Sequence, residues 1–399
     1  MSVNSLAKLL EPFPPEELLD SCWGKNFKHV RGGAGKFARL MPWGLLNEIL
    51  RRHRLDYPRL RLVRDGATLP ASSCLRYSAA RRGRAPIPRL KPAELNEQLR
   101  SGATLVLDAV DELSGPAEGL AAALEHTFRE NVQINCYAGW QTSPGFDLHF
   151  DRHDVFILQV TGRKRWSVYG ETRPHPVADD SEAAPRPTGP PLWEGVLEDG
   201  DLLYMPRGWW HVAQPLNEPT LHLTVGVHKR TGLDFLQWLA ARLRASASFR
   251  ADLPRLTSEE DRAAHAARLR GELFDAWDAG LVERYLAEYD AQALPRAQTS
   301  LPWSATARAL PDEPGALVRW TAPRPVELKA SGGVVEFECN RKRWRFAGAA
   351  LAVLGPLAER RVCTVAELCE AAAGHLDERT VRALLRELLL HGLVAIVDT

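Results

Sequence analysis

The sequence predicts a mostly β domain, a double-stranded jelly roll (double-stranded β-helix) with flanking helices. A helical region and a C-terminal winged-helix domain follow it. Three observations predict this. Short apolar runs recur between residues 103 and 228, separated by Gly, Pro, Ser and Asp, as in a small closed or double-layered β architecture. From Thr231 the composition shifts to Ala, Leu, Arg and Glu, with apolar residues at helical spacing. The chain then ends in strands, three helices and a closing strand. The boundaries fall at 1–230, 231–312 and 313–399.

In chain order, Pro14-Pro15-Glu16-Glu17-Leu18-Leu19 reads as a helix start, since Pro suits the first turn and acids suit the positive end of the dipole. Met41 to Leu50 reads as a second helix. Arg59 to Val63 alternates charged and apolar residues, a half-exposed strand ending at the turn Asp65-Gly66. Arg76 to Arg89 carries Arg76, Arg81, Arg82, Arg84 and Arg89 among Gly and Pro and reads as an exposed basic loop. Either it is merely solvated, or it is a lip for an acidic or RNA-associated partner. Pro92 to Leu99 and Pro116 to Glu130 are predicted helices. Ala103 to Leu107, Val132 to Tyr137 and Leu221 to His228 are predicted strands. Asp154 to Val160 is a continuous apolar run, the pattern of a buried strand. Pro174 to Pro191 reads as a surface loop.

In the second region, helices are predicted for Leu233 to Leu243, Ser258 to Leu273 and Phe274 to Tyr289, with a break at Leu253-Pro254. Their apolar set, including Phe235, Leu236, Trp238, Leu239, Phe274 and Trp277, exceeds what three short helices bury among themselves. That excess predicts a homodimer through this region; the alternative is a monomer in which these side chains pack on the chain's own β domain or winged helix. In the third region, strands between Ala316 and Phe346 turn at Ser331-Gly332-Gly333. Helices over Ala349–Leu357, Val365–Ala373 and Glu378–Leu390 precede a strand over Leu393–Val397. The last helix mixes Arg379, Arg382 and Arg386 with Glu378 and Glu387, which argues against direct DNA reading and for a docking or structural role.

Composition narrows the function classes. The 51 Lys and Arg nearly cancel the 50 Asp and Glu, so no global field favours nucleic acid or an anionic membrane. Six scattered cysteines form neither a zinc ribbon nor a disulfide framework, which predicts reduced thiols and a cytoplasmic protein. No signal peptide is expected at Met1 to Pro15, and no apolar run approaches the roughly 18 residues of a membrane span.

The chemistry concentrates at His149-Phe150-Asp151. On a strand, residues two apart share a face, so the imidazole and carboxylate would project together. A third ligand from another strand would complete a two-His, one-carboxylate set, the signature of non-haem Fe(II) oxygenases. His153, His211, His222 and His228 compete for that role. Context favours His211, which follows the turn Gly200-Asp201 and the apolar strand Leu202 to Met205. His153 is then a rim residue and His222 a core or pocket histidine.

With His149-Phe150-Asp151, Asp154 to Trp166 and Gly200 to His211 taken together, the chain resembles the JmjC-type, cupin-like 2-oxoglutarate oxygenases. Among these it is most similar to the ribosomal oxygenases that hydroxylate protein side chains. The resemblance implies Fe(II) on His149, Asp151 and His211, with 2-oxoglutarate and O2 as cosubstrates. It implies that Lys164, thirteen residues after the Asp, binds the distal carboxylate, and that Asn135 and Tyr137 line the same pocket. Some relatives carry a serine where this chain has Gly226; Thr224 is the substitute hydroxyl. Asp147 either receives a basic substrate side chain or caps its loop. The resemblance also implies dimerisation by the helical region. Three classes of function stay open: a protein or peptide hydroxylase, with a ribosomal protein favoured; an oxygenase of methyl-lysine, a natural-product peptide or a small metabolite; and a non-catalytic metal-binding regulator.

Overall fold

The computed structural model describes residues 3–78, 86–178, 180, 184–306 and 310–397, in two compact units, Met1–Lys229 and Arg230–Thr399. The first unit holds thirteen strands among its described residues. In chain order they are β1 (Lys28–Val30), β2 (Leu60–Arg64), β3 (Ala67–Thr68), β4 (Leu75–Ser78), β5 (Ile87–Leu90), β6 (Thr104–Leu107) and β7 (Asn131–Gly139). The rest are β8 (Asp154–Thr161), β9 (Lys164–Glu171), β10 (Trp193–Leu197), β11 (Leu202–Met205), β12 (Trp209–Pro215) and β13 (Thr220–His228). An eight-stranded sheet runs β1-β11-β8-β13-β7-β6-β2-β3, and a three-stranded sheet runs β10-β9-β12.

Alternation explains how the large sheet serves two faces. Val132, Ile134, Cys136 and Ala138 of β7, with Leu221, Leu223, Val225 and Val227 of β13, enter the main core. There they join Leu120 and Leu124 of the helix Gly115–Phe128. The intervening residues, Asn135, Tyr137, His222 and Thr224, face the other way and line a cavity shared with the small sheet. Strand β8 is buried along its length because both its faces are covered. Phe156, Leu158 and Val160 join the main core, while Val155 and Ile157 pack with Trp166, Val168 and Leu203.

One glycine contact fixes the entrance to β11. Gly200 has φ +92°, and a Cβ there would lie 2.1 Å from the Gly33 carbonyl oxygen, so only glycine lets the two segments touch. Beside it, buried Asp201 accepts from the Gly32 and Glu198 amides and pairs with His29.

In the second unit, Gly232–Leu243 starts with a capping box between Thr231 and Asp234. Its Phe235 and Leu239 pack on Leu281 and Tyr285 of Leu281–Gln292. The expected helix from Phe274 to Tyr289 is instead interrupted. Glu259–Asp275 ends before Trp277, and Gly280 caps a new helix, with Asp278 bonded to the Gly280 amide. A separate core lies farther along the chain. There Leu317–Trp320 is the middle strand between Val362–Thr364 and Val394–Val397, packed by the helices Leu351–Arg360, Val365–Ala371 and Glu378–Leu390. A second three-stranded sheet covers Lys329–Ser331, Val334–Cys339 and Lys342–Ala347. In the last helix Arg382 is bonded to Glu378 and to the carbonyls of Pro311 and Asp312.

The basic stretch Arg76–Arg89 is also corrected. Its ends are not loop but the paired hairpin β4–β5, with Tyr77 opposite Pro88. Arg81, Arg82 and Arg84 lie outside the described residues. Arg89 lines a groove of about 650 Å³ together with Arg51, Arg52 and Arg54. Of the Pro174–Pro191 stretch, residues 179 and 181–183 also lie outside the described residues. No described helix is long and apolar enough to cross a membrane.

Candidate metal centre and anion pocket

His149 and Asp151 do not sit on a regular strand, contrary to expectation. His149 forms a single antiparallel bridge with His211, and β8 begins only at Asp154. The bridge has both backbone bonds, His149 N to His211 O at 3.1 Å and His211 N to His149 O at 2.7 Å. The reason lies in β12, whose register shifts between Trp210 and His211. Such a bulge re-aims a side chain. Two further bonds hold the turn before β12: the Gly208 amide donates to the Asp151 carbonyl, and the Arg207 amide to Asp154 Oδ1. Asp154 is fully buried, and its other oxygen takes the Tyr204 hydroxyl at 2.6 Å and Lys229 Nζ at 2.8 Å.

The donor atoms of His149, Asp151 and His211 lie within 4.8 Å of one another. The His211 Nε2 to Asp151 Oδ2 distance is 3.7 Å. Both imidazoles are oriented by backbone carbonyls: His149 Nδ1 lies 2.7 Å from Asp147 O, and His211 Nδ1 lies 3.0 Å from Trp209 O. A carbonyl only accepts, so each Nδ1 carries the proton and each Nε2 keeps its lone pair for a cation. Burial, with His149 alongside, lowers the His211 pKa to about 4, so that ring is neutral at pH 7. Asp151 stands beside them in a half-exposed position.

A cavity of about 270 Å³ opens beside these three donors. It brings together every residue expected at the site: Asn135, Tyr137, Lys164 and Thr224 all line it. The register accounts for this, because Thr224 pairs with both Asn135 and Ile157, and His222 with Tyr137. Asn135 Oδ1 accepts from the Ala109 amide and from Gln133 Nε2. Burial pushes the Tyr137 hydroxyl pKa up, helped by Asp151. Lys164 opens β9 pointing inward, while Arg165 is exposed and Arg163 pairs with Glu218 outside. Burial lowers the Lys164 pKa to about 7, and no carboxylate lies within ion-pair distance of it among the described residues. The pocket therefore holds a cation-forming group that lacks an anion.

Three positions need tertiary contacts to place. Asp147 turns away: a Cβ on Gly66 would lie 2.7 Å from its Cγ, so its carboxylate lies against that turn, and its carbonyl serves His149. His153 precedes β8 rather than lying on it, 4.4 Å from the His228 ring by centroids. It occupies the space over Gly226, where a Cβ would meet its imidazole at 2.8 Å. His222, read as a core or pocket histidine, sits in the cavity. Arg61 and Trp166 also line it and were missed. Arg61 was read only as one step in an alternating strand, and its pairing with Asp108 at 2.8 Å carries no local signal in the sequence.

Two histidines and a carboxylate converging beside a buried lysine, between two β-sheets, form a site suited to a metal ion next to an anion. Residues 116–235 match the JmjC domain family. The chain is 29% identical over 241 residues to the bifunctional lysine-specific demethylase and histidyl-hydroxylase NO66 of Drosophila pseudoobscura pseudoobscura, covering 57% of this chain and 23% of that one. It is 31% identical over 262 residues to ribosomal oxygenase 1 of Bos taurus, covering 62% of this chain and 37% of that one. The chain thus spans well under half the length of these relatives. In fold it is similar to the ribosomal oxygenase YcfD of Escherichia coli, solved with cobalt and 2-oxoglutarate, with a TM-score of 0.58 at 18% identity over 97% of this chain and 99% of that one. Residues 116–235 thus carry the JmjC-domain match, and the chain is similar to the ribosomal oxygenases.

Proposed function

We propose that the chain is an Fe(II)- and 2-oxoglutarate-dependent oxygenase that hydroxylates a side chain of a protein or peptide, with a ribosomal protein the favoured substrate. The carrying observation is the pairing of three convergent donors with the isolated buried Lys164 in one cavity. His149 and His211 would hold the iron through Nε2 and Asp151 through a carboxylate oxygen. Lys164 would hold the distal carboxylate of 2-oxoglutarate, with Asn135, Tyr137 and Thr224 shaping the pocket around it. When bound, iron and 2-oxoglutarate supply the oxidising chemistry: one oxygen of O2 enters succinate as CO2 leaves, and the other enters the substrate. The chain's own part is to orient the cosubstrate, keep the His211 imidazole neutral and limit water in the cavity. The names of the relatives, which include a histidyl-hydroxylase and ribosomal oxygenases, favour this reading.

The test is twofold. Purified protein should release succinate from 2-oxoglutarate only with added Fe(II). Ribosomal proteins from cells with and without the gene should differ by the mass of one oxygen on a single protein. Loss of methyl groups instead would favour demethylation, and a bound metal without succinate release would favour a regulator.

The three-part division at 1–230, 231–312 and 313–399 is part of the same proposal. It is supported by separate cores around Phe235 and around Val318. The helical region would pair with a second copy, since Leu233, Leu236, Phe274 and Trp277 are exposed. A winged-helix reading of the last region fits its strand and helix order. The commitment of Arg382 within its own region favours docking over DNA binding. A cytoplasmic setting accords with six cysteines that are all free thiols.

A further inference from the structure

We propose that His222 is a binding residue for the cosubstrate, donating a hydrogen bond to the distal carboxylate of 2-oxoglutarate beside Lys164. This rests on the oxygenase reading above.

His222 is 3% exposed, in the middle of β13. Buried polar side chains in folded proteins nearly always have a hydrogen-bond partner. Several polar groups around His222 obey that rule. His149 and His211 each use one nitrogen on a carbonyl, and Gln159 donates to Thr220 and to the carbonyls around it. His222 has no such partner among the described residues. It lines the cavity, and neither nitrogen is sealed off there, unlike the indole nitrogen of Trp166, which is enclosed without a partner.

The ring is also held in place. One face stacks on Tyr137 with centroids 4.8 Å apart and planes 5° from parallel. The Trp166 ring meets it nearly perpendicular, at 5.5 Å and 84°. Two aromatic neighbours thus fix an imidazole plane that makes no hydrogen bond of its own. A ring packed for the core alone would be better served by Phe, which carries no unmade bond.

The position selects the ligand atom. Trp166 ties His222 to the lysine: Lys164 Nζ lies 5.6 Å from the indole centroid and the His222 ring 5.5 Å from it, so both groups line the cavity around one ring. A lysine ammonium is a point charge and does not by itself orient a two-oxygen group. A second donor at a fixed angle would. The neutral imidazole carries one N–H, which can serve as that donor.

The experiment uses the full chain loaded with Mn(II). It measures affinity for 2-oxoglutarate and for 2-oxobutyrate, which shares the metal-binding end but lacks the distal carboxylate. His222→Phe keeps the stack and removes both nitrogens. It should weaken 2-oxoglutarate about tenfold or more, the usual scale for a hydrogen bond to a charged group. It should leave Mn(II) and 2-oxobutyrate affinities unchanged, and His222→Gln should recover part of the loss. If His222→Phe does not fold, the comparison is read from His222→Gln against His222→Leu. Unchanged 2-oxoglutarate affinity in the variant lacking the donor would overturn the proposal, as would equal losses for both acids. Wild-type protein that binds no 2-oxoglutarate would overturn the oxygenase reading first, and that outcome is visible before any variant is compared.

Discussion

The proposed role of Lys164 would tie cosubstrate affinity to pH. Its ammonium is buried without a counter-charge, and its pKa falls from 10.5 to about 7. An anion's carboxylate needs the charged form, which is present below that value and lost as pH rises through it. Apparent affinity scales with the competent fraction. At pH 6 nearly all the lysine is charged; at pH 8 only about a tenth is, so 2-oxoglutarate should bind about tenfold more weakly. Lys164→Arg keeps its charge at every working pH, so its affinity, though altered by geometry, should be nearly flat from pH 6 to 9. The stability sign follows from the same depression. Between about pH 7 and 10.5 the unfolded chain holds a proton that the folded chain lacks, so stability rises with pH across that window. Below it the buried charge costs on the order of a few kcal/mol. Lys164→Met should therefore raise the melting temperature at pH 6.5 while abolishing 2-oxoglutarate binding. Titration calorimetry from pH 6 to 9 with Mn(II) bound, with thermal melts alongside, checks both. A flat wild-type profile, or a methionine variant that binds normally, would refute the reasoning.

Two more outcomes are expected. His149→Ala or Asp151→Ala should abolish both Fe(II) retention and turnover, whereas His153→Ala should retain iron; metal analysis after gel filtration reads this, and the reverse pattern would mean the ligand set is misassigned. Light scattering at micromolar concentration should return a dimer mass for the wild type. Leu236→Glu with Phe274→Glu should return a monomer that still binds iron, because these side chains are 49% and 67% exposed and no proposed ligand lies beyond His211; a wild-type monomer would sink the dimer proposal.

Much of this site was legible because its parts are local. The His149–Asp151 spacing, the thirteen-residue step to Lys164 and the turn before β11 are short-range patterns, and the barrel brings their side chains into one cavity. What failed was the secondary structure beneath them. Regular alternation suggested a strand at His149, but the site uses one bridge and a bulge, which depend on His211 sixty-two residues on. The orientation of His222 was equally hidden, since an isolated histidine in an apolar strand reads the same whether it faces core or cavity. Asp147 was left open because only the tertiary contact with Gly66 decides where its side chain goes. In the helical region, the spacing marked apolar residues but not which of them its own helices cover, so Phe235 and Leu239 proved buried while Leu236 and Phe274 are exposed.

The reciprocal backbone bonds between His149 and His211 bear on how the proposed metal would be acquired. Two of the three donors are joined by main chain, and Gly208 ties the third to the same turn, so no loop must close around the ion. Loading of the proposed ion would then be a ligand-binding event on a finished scaffold rather than a folding reaction, the opposite of a zinc finger. Chelated protein should keep its barrel and reload on dilution into metal. The ion's protection against heat should follow its free concentration as for any reversible ligand, with no step at one equivalent.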